Sequence, residues 1–96
     1  MSTHAAPDAQ AAGFQGQVPP VTSVMTEVIG MLVLSAHAYM GEKEGREGDL
    51  PSAEVAIDVA SLAFERVKER LTAEERLAIT QLLTETRLAF VKRREG

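Results

Sequence analysis

Glu54 and Asp58 stand four residues apart, the separation that sets two carboxylates on one face of a helix. Two carboxyl groups can divide general-acid and general-base work when a cleft gives them different environments. Nothing in the surrounding sequence builds such a cleft. With Ser61, Glu65 and Lys68 the two acids read instead as a solvated polar stripe. His37 lies in an apolar segment, but the chain has only one other histidine, His4, and no cysteine, so a metal-binding set does not assemble around it. It reads as a hydrogen-bonded or exposed helix residue. Residues 42–49, EKEGREGD, are acidic but lack the alternating ligand pattern of a calcium loop and read as a charged connector. Two basic groups remain, Arg66, Lys68 and Arg70 in one and Arg87, Lys92, Arg93 and Arg94 in the other. Glutamates 65, 69, 74, 75 and 95 interleave with them, and no aromatic platform for stacking bases accompanies them. Arg87, Lys92, Arg93 and Arg94 are the residues through which any contact with nucleic acid would run.

The whole composition narrows the classes further. Ninety-six residues suit one small domain, and 45% hydrophobic with 25% charged residues suits a soluble, helix-rich one. Zero cysteines exclude a disulfide framework, a thiolate zinc site, an iron–sulfur cluster and a cysteine nucleophile. No nucleophile elbow, P-loop or dinucleotide-binding fingerprint occurs. The expectation is a non-enzymatic protein without cofactor or metal. A net charge of -4 gives no electrostatic case for nucleic acid or for an acidic membrane.

The fold class expected is all-α, a three-helix hairpin-type domain completed by homo-oligomerisation. Residues 1–20 are poor in large apolar side chains and read as a disordered N-terminal tail, ending at Pro19-Pro20. They lack the basic start and apolar run of a signal peptide, which points to the cytoplasm. Residues 21–96 form a single helical domain with helices over about 21–41, 50–71 and 73–93. The first is apolar nearly all round; Thr22 or Ser23 can cap its start and Gly41 can end it. Glu27 interrupts it, and only residues 28–41 run without a formal charge, short of a membrane span, so a buried helix is expected rather than a membrane one. Asp49 can cap the second helix, with Pro51 in its first turn. There Ala53, Ile57, Ala60, Phe64, Val67 and Leu71 recur at steps of four and three, with Val55, Val59 and Leu62 as a second apolar flank. Thr72 and Glu75 have the spacing of a capping box and place a break before the third helix. Ile79, Leu82, Leu83, Thr86 and Phe90 make one face of that helix.

Three short helices form a small core, and a first helix apolar on several sides asks for more cover than two neighbours give. A homo-oligomer, most simply a dimer, supplies it. Val24, Val28, Gly30, Met31, Leu32, Leu34, Ile57 and Phe64 are the expected interface, with Gly30 allowing close backbone approach.

The ordered segment also resembles a family of small bacterial helical proteins, domain of unknown function 1844. The resemblance spans about residues 21–91. It is carried by Ser35 to Glu42 (SAHAYMGE), Leu50 to Asp58 (LPSAEVAID), Leu71 to Glu75 (LTAEE), Leu82-Leu83, and Arg87 to Val91 (RLAFV). It implies a three-helix organisation and a bacterial cytoplasmic setting, and supplies no catalytic or binding residues. One departure is Lys68, Glu69 and Arg70, where the family has Lys-Gly-Asn; loss of that glycine implies a more continuous joint between the second and third helices. Together these readings describe a self-associating accessory or scaffolding module that binds another protein. The alternatives are a ribosome- or nucleic-acid-associated factor using the basic end of the last helix, and a small-molecule binder with its site at the oligomer interface.

Overall fold

The computed structural model describes residues 17–41 and 48–96. The greater part of the expected tail, and residues 42–47 of the expected connector, lie outside the described residues. Among those described there are three α-helices and no strand: α1 (Val21–Met40), α2 (Leu50–Val67) and α3 (Ala73–Glu95), with a 3-10 turn, Lys68–Arg70, between the last two.

Local chemistry explains most of the boundaries. The Pro20 carbonyl accepts the Ser23 and Val24 N–H groups, so α1 begins at Val21. No side chain caps it: Thr22 and Ser23 already lie inside the first turn, two and three residues past the cap position at Pro20. Gly41 ends the helix in the left-handed region, φ 64° and ψ 56°, where a residue with a side chain would be strained. Asp49 caps α2 as expected, its Oδ1 accepting the Ser52 N–H at 3.1 Å and its Oδ2 the Ser52 hydroxyl at 2.7 Å. The capping box at α3 is complete: Thr72 Oγ1 accepts from the Glu75 N–H at 3.1 Å, and Glu75 Oε1 accepts from the Thr72 N–H at 2.9 Å. Thr72→Ala is therefore expected to lower folding stability by about 1 kcal/mol, read as a shifted urea midpoint with an unchanged slope.

The joint between α2 and α3 differs from expectation. α2 stops at Val67 rather than near Leu71, the next three residues tighten into the 3-10 turn, and Leu71 is extended at φ -90° and ψ 156°. The break needs no glycine because Arg76 holds it. Arg76 Nε donates to the Lys68 carbonyl at 3.2 Å, which also accepts the Leu71 N–H, and Nη2 donates to the Leu71 carbonyl at 3.0 Å. The more continuous joint suggested by the family departure is not what forms.

The residues that meet at each end of the core set α1 and α3 in the same direction and α2 antiparallel to both. One end of the core joins Ile29 and Val33 to Ala60, Phe64, Val67 and Leu71 and to Ile79 and Leu83. The other joins Ala36 and Met40 to Ala53, Ala56, Ile57 and Phe90. The 4-3 seam of α2 is thus buried along its whole length, and the alanines let α1 lie close upon it. Ile57 and Phe64, expected at an interface between copies, are only 1% and 8% exposed inside one chain. They are core residues, because the seam that carries them is the side of α2 turned to α1 and α3. Burial of α1 on several sides is not reached within one chain either. Only Ile29, Val33, Ala36 and Met40 are buried there, all on one side.

Candidate interaction surface

A helix turns about 100° per residue, so Val24, Glu27, Met31, Leu34 and Ala38 share the side of α1 opposite its buried side. Met31 is 66% exposed and Leu34 73%, a large apolar area to leave in water. Between this ridge and α3 lies an open groove of about 530 Å³, lined by Glu27, Gly30, Met31, Val33, Leu34 and Leu82. Its lining is nearly all carbon, with the Glu27 side chain the one charged group. On the other flank of α1, a recess of about 300 Å³ is lined by Leu32, Ser35, Tyr39, Ser52, Val55 and Ala56. Val55, Val59 and Leu62 continue that apolar surface along the outside of α2.

Of the expected interface residues, Gly30, Met31 and Leu34 meet in the larger groove. Val24, Val28 and Leu32 are half-buried on α1, while Ile57 and Phe64 belong to the core. Leu82 is an addition to the set. It lies beside the buried face of α3, and its spacing with Ile79 and Leu83 marks it as core; only the packing angle of α3 against α1 turns it into a groove wall.

The polar candidates are largely engaged within the chain. Arg87 bridges α3 to α2, donating to Ser61 Oγ at 2.8 Å with Asp58 Oδ1 at 3.7 Å. Glu54 borders a shallow recess of about 140 Å³ with Arg87 and Arg94, so the two acids face arginines across an open surface rather than each other in a cleft. Lys68 pairs with Glu65 at 2.7 Å. No group of three or more potential metal ligands occurs among the described residues.

Arg93 has a role that local sequence does not reveal. Its Nε donates to the Met40 carbonyl and its Nη2 to the Gly41 carbonyl, both at 3.0 Å, so the end of α3 caps the end of α1. Arg94 stands over the Phe90 ring, 5.6 Å from its centre. Of the four residues expected to face nucleic acid, Arg87, Arg93 and Arg94 thus have partners within the chain, and Lys92 is exposed. Arg93→Ala removes two charge-assisted hydrogen bonds from a part-buried site and is expected to cost about 1.5–3 kcal/mol. Chemical denaturation monitored by circular dichroism measures that loss.

α1 is also long and apolar enough to cross a membrane by length and composition alone. The described residues define a small all-helical protein in which three α-helices pack together and α1 carries an open apolar ridge. Comparison with family models, curated proteins and solved structures finds no match. The resemblance to domain of unknown function 1844 rests on its quoted residues alone.

Proposed function

We propose that the chain is a non-enzymatic, self-associating helical module of the cytoplasm that acts by holding other proteins rather than by transforming a substrate. The observation that carries this reading is the apolar ridge of α1, where Met31 and Leu34 stand open beside the groove wall Leu82. A core this small rarely supplies more than about 3–5 kcal/mol, so covering that ridge would add stability that the single chain lacks. A second copy is the occupant always present at matched concentration, and a dimer is the simplest closed assembly. A membrane is the less favoured cover. Ile29, Val33, Ala36 and Met40 turn one side of α1 into a core shared with two amphipathic helices, and Glu27 interrupts the open side. The exposed Lys92 is left for a protein partner.

Light scattering on the intact chain at micromolar concentration tests the reading. A mass twice the 10.4 kDa of one chain is expected, and a monomer throughout the concentration range would overturn it.

A further inference from the structure

We infer that the ridge of α1 closes on a second copy of this chain through an antiparallel α1–α1 contact, in which Leu34 of each copy fills the gap above the partner's Gly30. This rests on the self-association reading and adds its geometry.

Gly30 is the first observation. Glycine within a helix is destabilising relative to alanine, and nothing among the described residues calls for one. A Cβ at Gly30 would meet no atom of the described residues within 4 Å, and its backbone is not in the left-handed region. What the missing side chain does is leave a gap in the outer surface of α1, where the groove opens. Leu34 is the second. It stands one turn further along on the same side and points its side chain into water. A gap and a knob four residues apart are self-complementary only when the second helix runs the opposite way. A two-fold axis near position 32 then places each Leu34 over the partner's Gly30, with Met31 of both copies beside the axis. Glu27, Gly30, Leu34 and His37 follow one another at steps of three, four and three, symmetric about that axis, which is the spacing of two helices crossing at a shallow angle.

Charge selects the same direction. A parallel pair in register sets the two Glu27 carboxylates against each other in a closing apolar contact, which is costly. The antiparallel pair separates them by ten residues of helix, about 15 Å at 1.5 Å per residue, and lays each beside the partner's His37. Leu82 walls the groove on the α3 side and so fixes which flank of α1 the second helix enters.

The cysteine-free sequence permits a direct test with single-cysteine variants of the full chain and a short bis-maleimide linker. Met31→Cys is expected to give covalent dimers, Glu27→Cys alone none, and an equimolar mixture of Glu27→Cys and His37→Cys the cross-linked heterodimer. Gly30→Leu, which fills the gap, is expected to raise the dimer dissociation constant at least tenfold while helix content is retained. Cross-linking of Glu27→Cys with itself as readily as Met31→Cys would establish a parallel pair and overturn the inference. So would an unchanged affinity in Gly30→Leu. A dimeric mass without any of the expected links would overturn this geometry and leave self-association standing; a monomeric intact chain would overturn both. Flotation of the intact chain with phosphatidylcholine vesicles, with Met31→Cys failing to cross-link, would overturn it in favour of a membrane.

Discussion

Leu34→Glu is expected to turn the dimer into a folded monomer. In the single chain Leu34 is 73% exposed and belongs to neither core cluster, and glutamate is a good helix former, so the fold itself loses little. In the dimer the same carboxylate would be buried without a cation, on a ridge that already carries Glu27. An uncompensated buried charge costs about 3–5 kcal/mol, which weakens association by at least ~100-fold. Sedimentation equilibrium reads the mass and circular dichroism the helix content. Retained dimer would remove the ridge from the interface, and lost helicity would mean that Leu34 supports the chain's own core.

Ile57→Ala should behave in the opposite way. Ile57 is 1% exposed and packs among Ala36, Met40, Ala53, Ala56 and Phe90, where helices α1, α2 and α3 meet. Truncating a buried isoleucine leaves a cavity and costs about 2–5 kcal/mol. That is comparable with the whole stability expected of a core this size, about 3–5 kcal/mol. The variant should therefore lose its cooperative thermal transition at concentrations where Leu34→Glu keeps one, and lose association as a consequence of unfolding. A variant that melts like the parent but no longer dimerises would return Ile57 to the interface.

The contrast between these two residues marks where local sequence stops being informative. Caps are decided within four residues, so Asp49, the Thr72–Glu75 box and Gly41 were legible from type and spacing alone. The 4-3 seam of α2 was legible too, because a continuous stripe of apolar residues has one natural use. Its assignment to the core rather than to a partner was not, since Val55, Val59 and Leu62 offer a second apolar stripe on the same helix. α1 poses the same problem more strongly: with apolar residues on every side, periodicity cannot say which side turns inward. The packing of α2 and α3 decides it, burying Ile29, Val33, Ala36 and Met40 and leaving Met31 and Leu34 outside.

The arginines were illegible for a different reason. Arg93 reaches carbonyls more than fifty residues earlier, and Arg76 braces a turn formed by the helix before its own. In sequence both look like members of charge runs. Their partners are backbone oxygens, which every residue carries and no motif marks. The same bracing explains why the turn at Lys68–Arg70 forms without a glycine.

The most direct measurement is the rate at which peroxide converts Met31 to its sulfoxide, followed by mass spectrometry on the intact chain. Met40 is buried in one chain and serves as the internal reference, while Met31 is 66% exposed unless something covers it. At concentrations that favour association, Met31 is expected to react nearly as slowly as Met40 and to become fast on dilution. Rapid oxidation of Met31 at every concentration would contradict a ridge covered by a second copy.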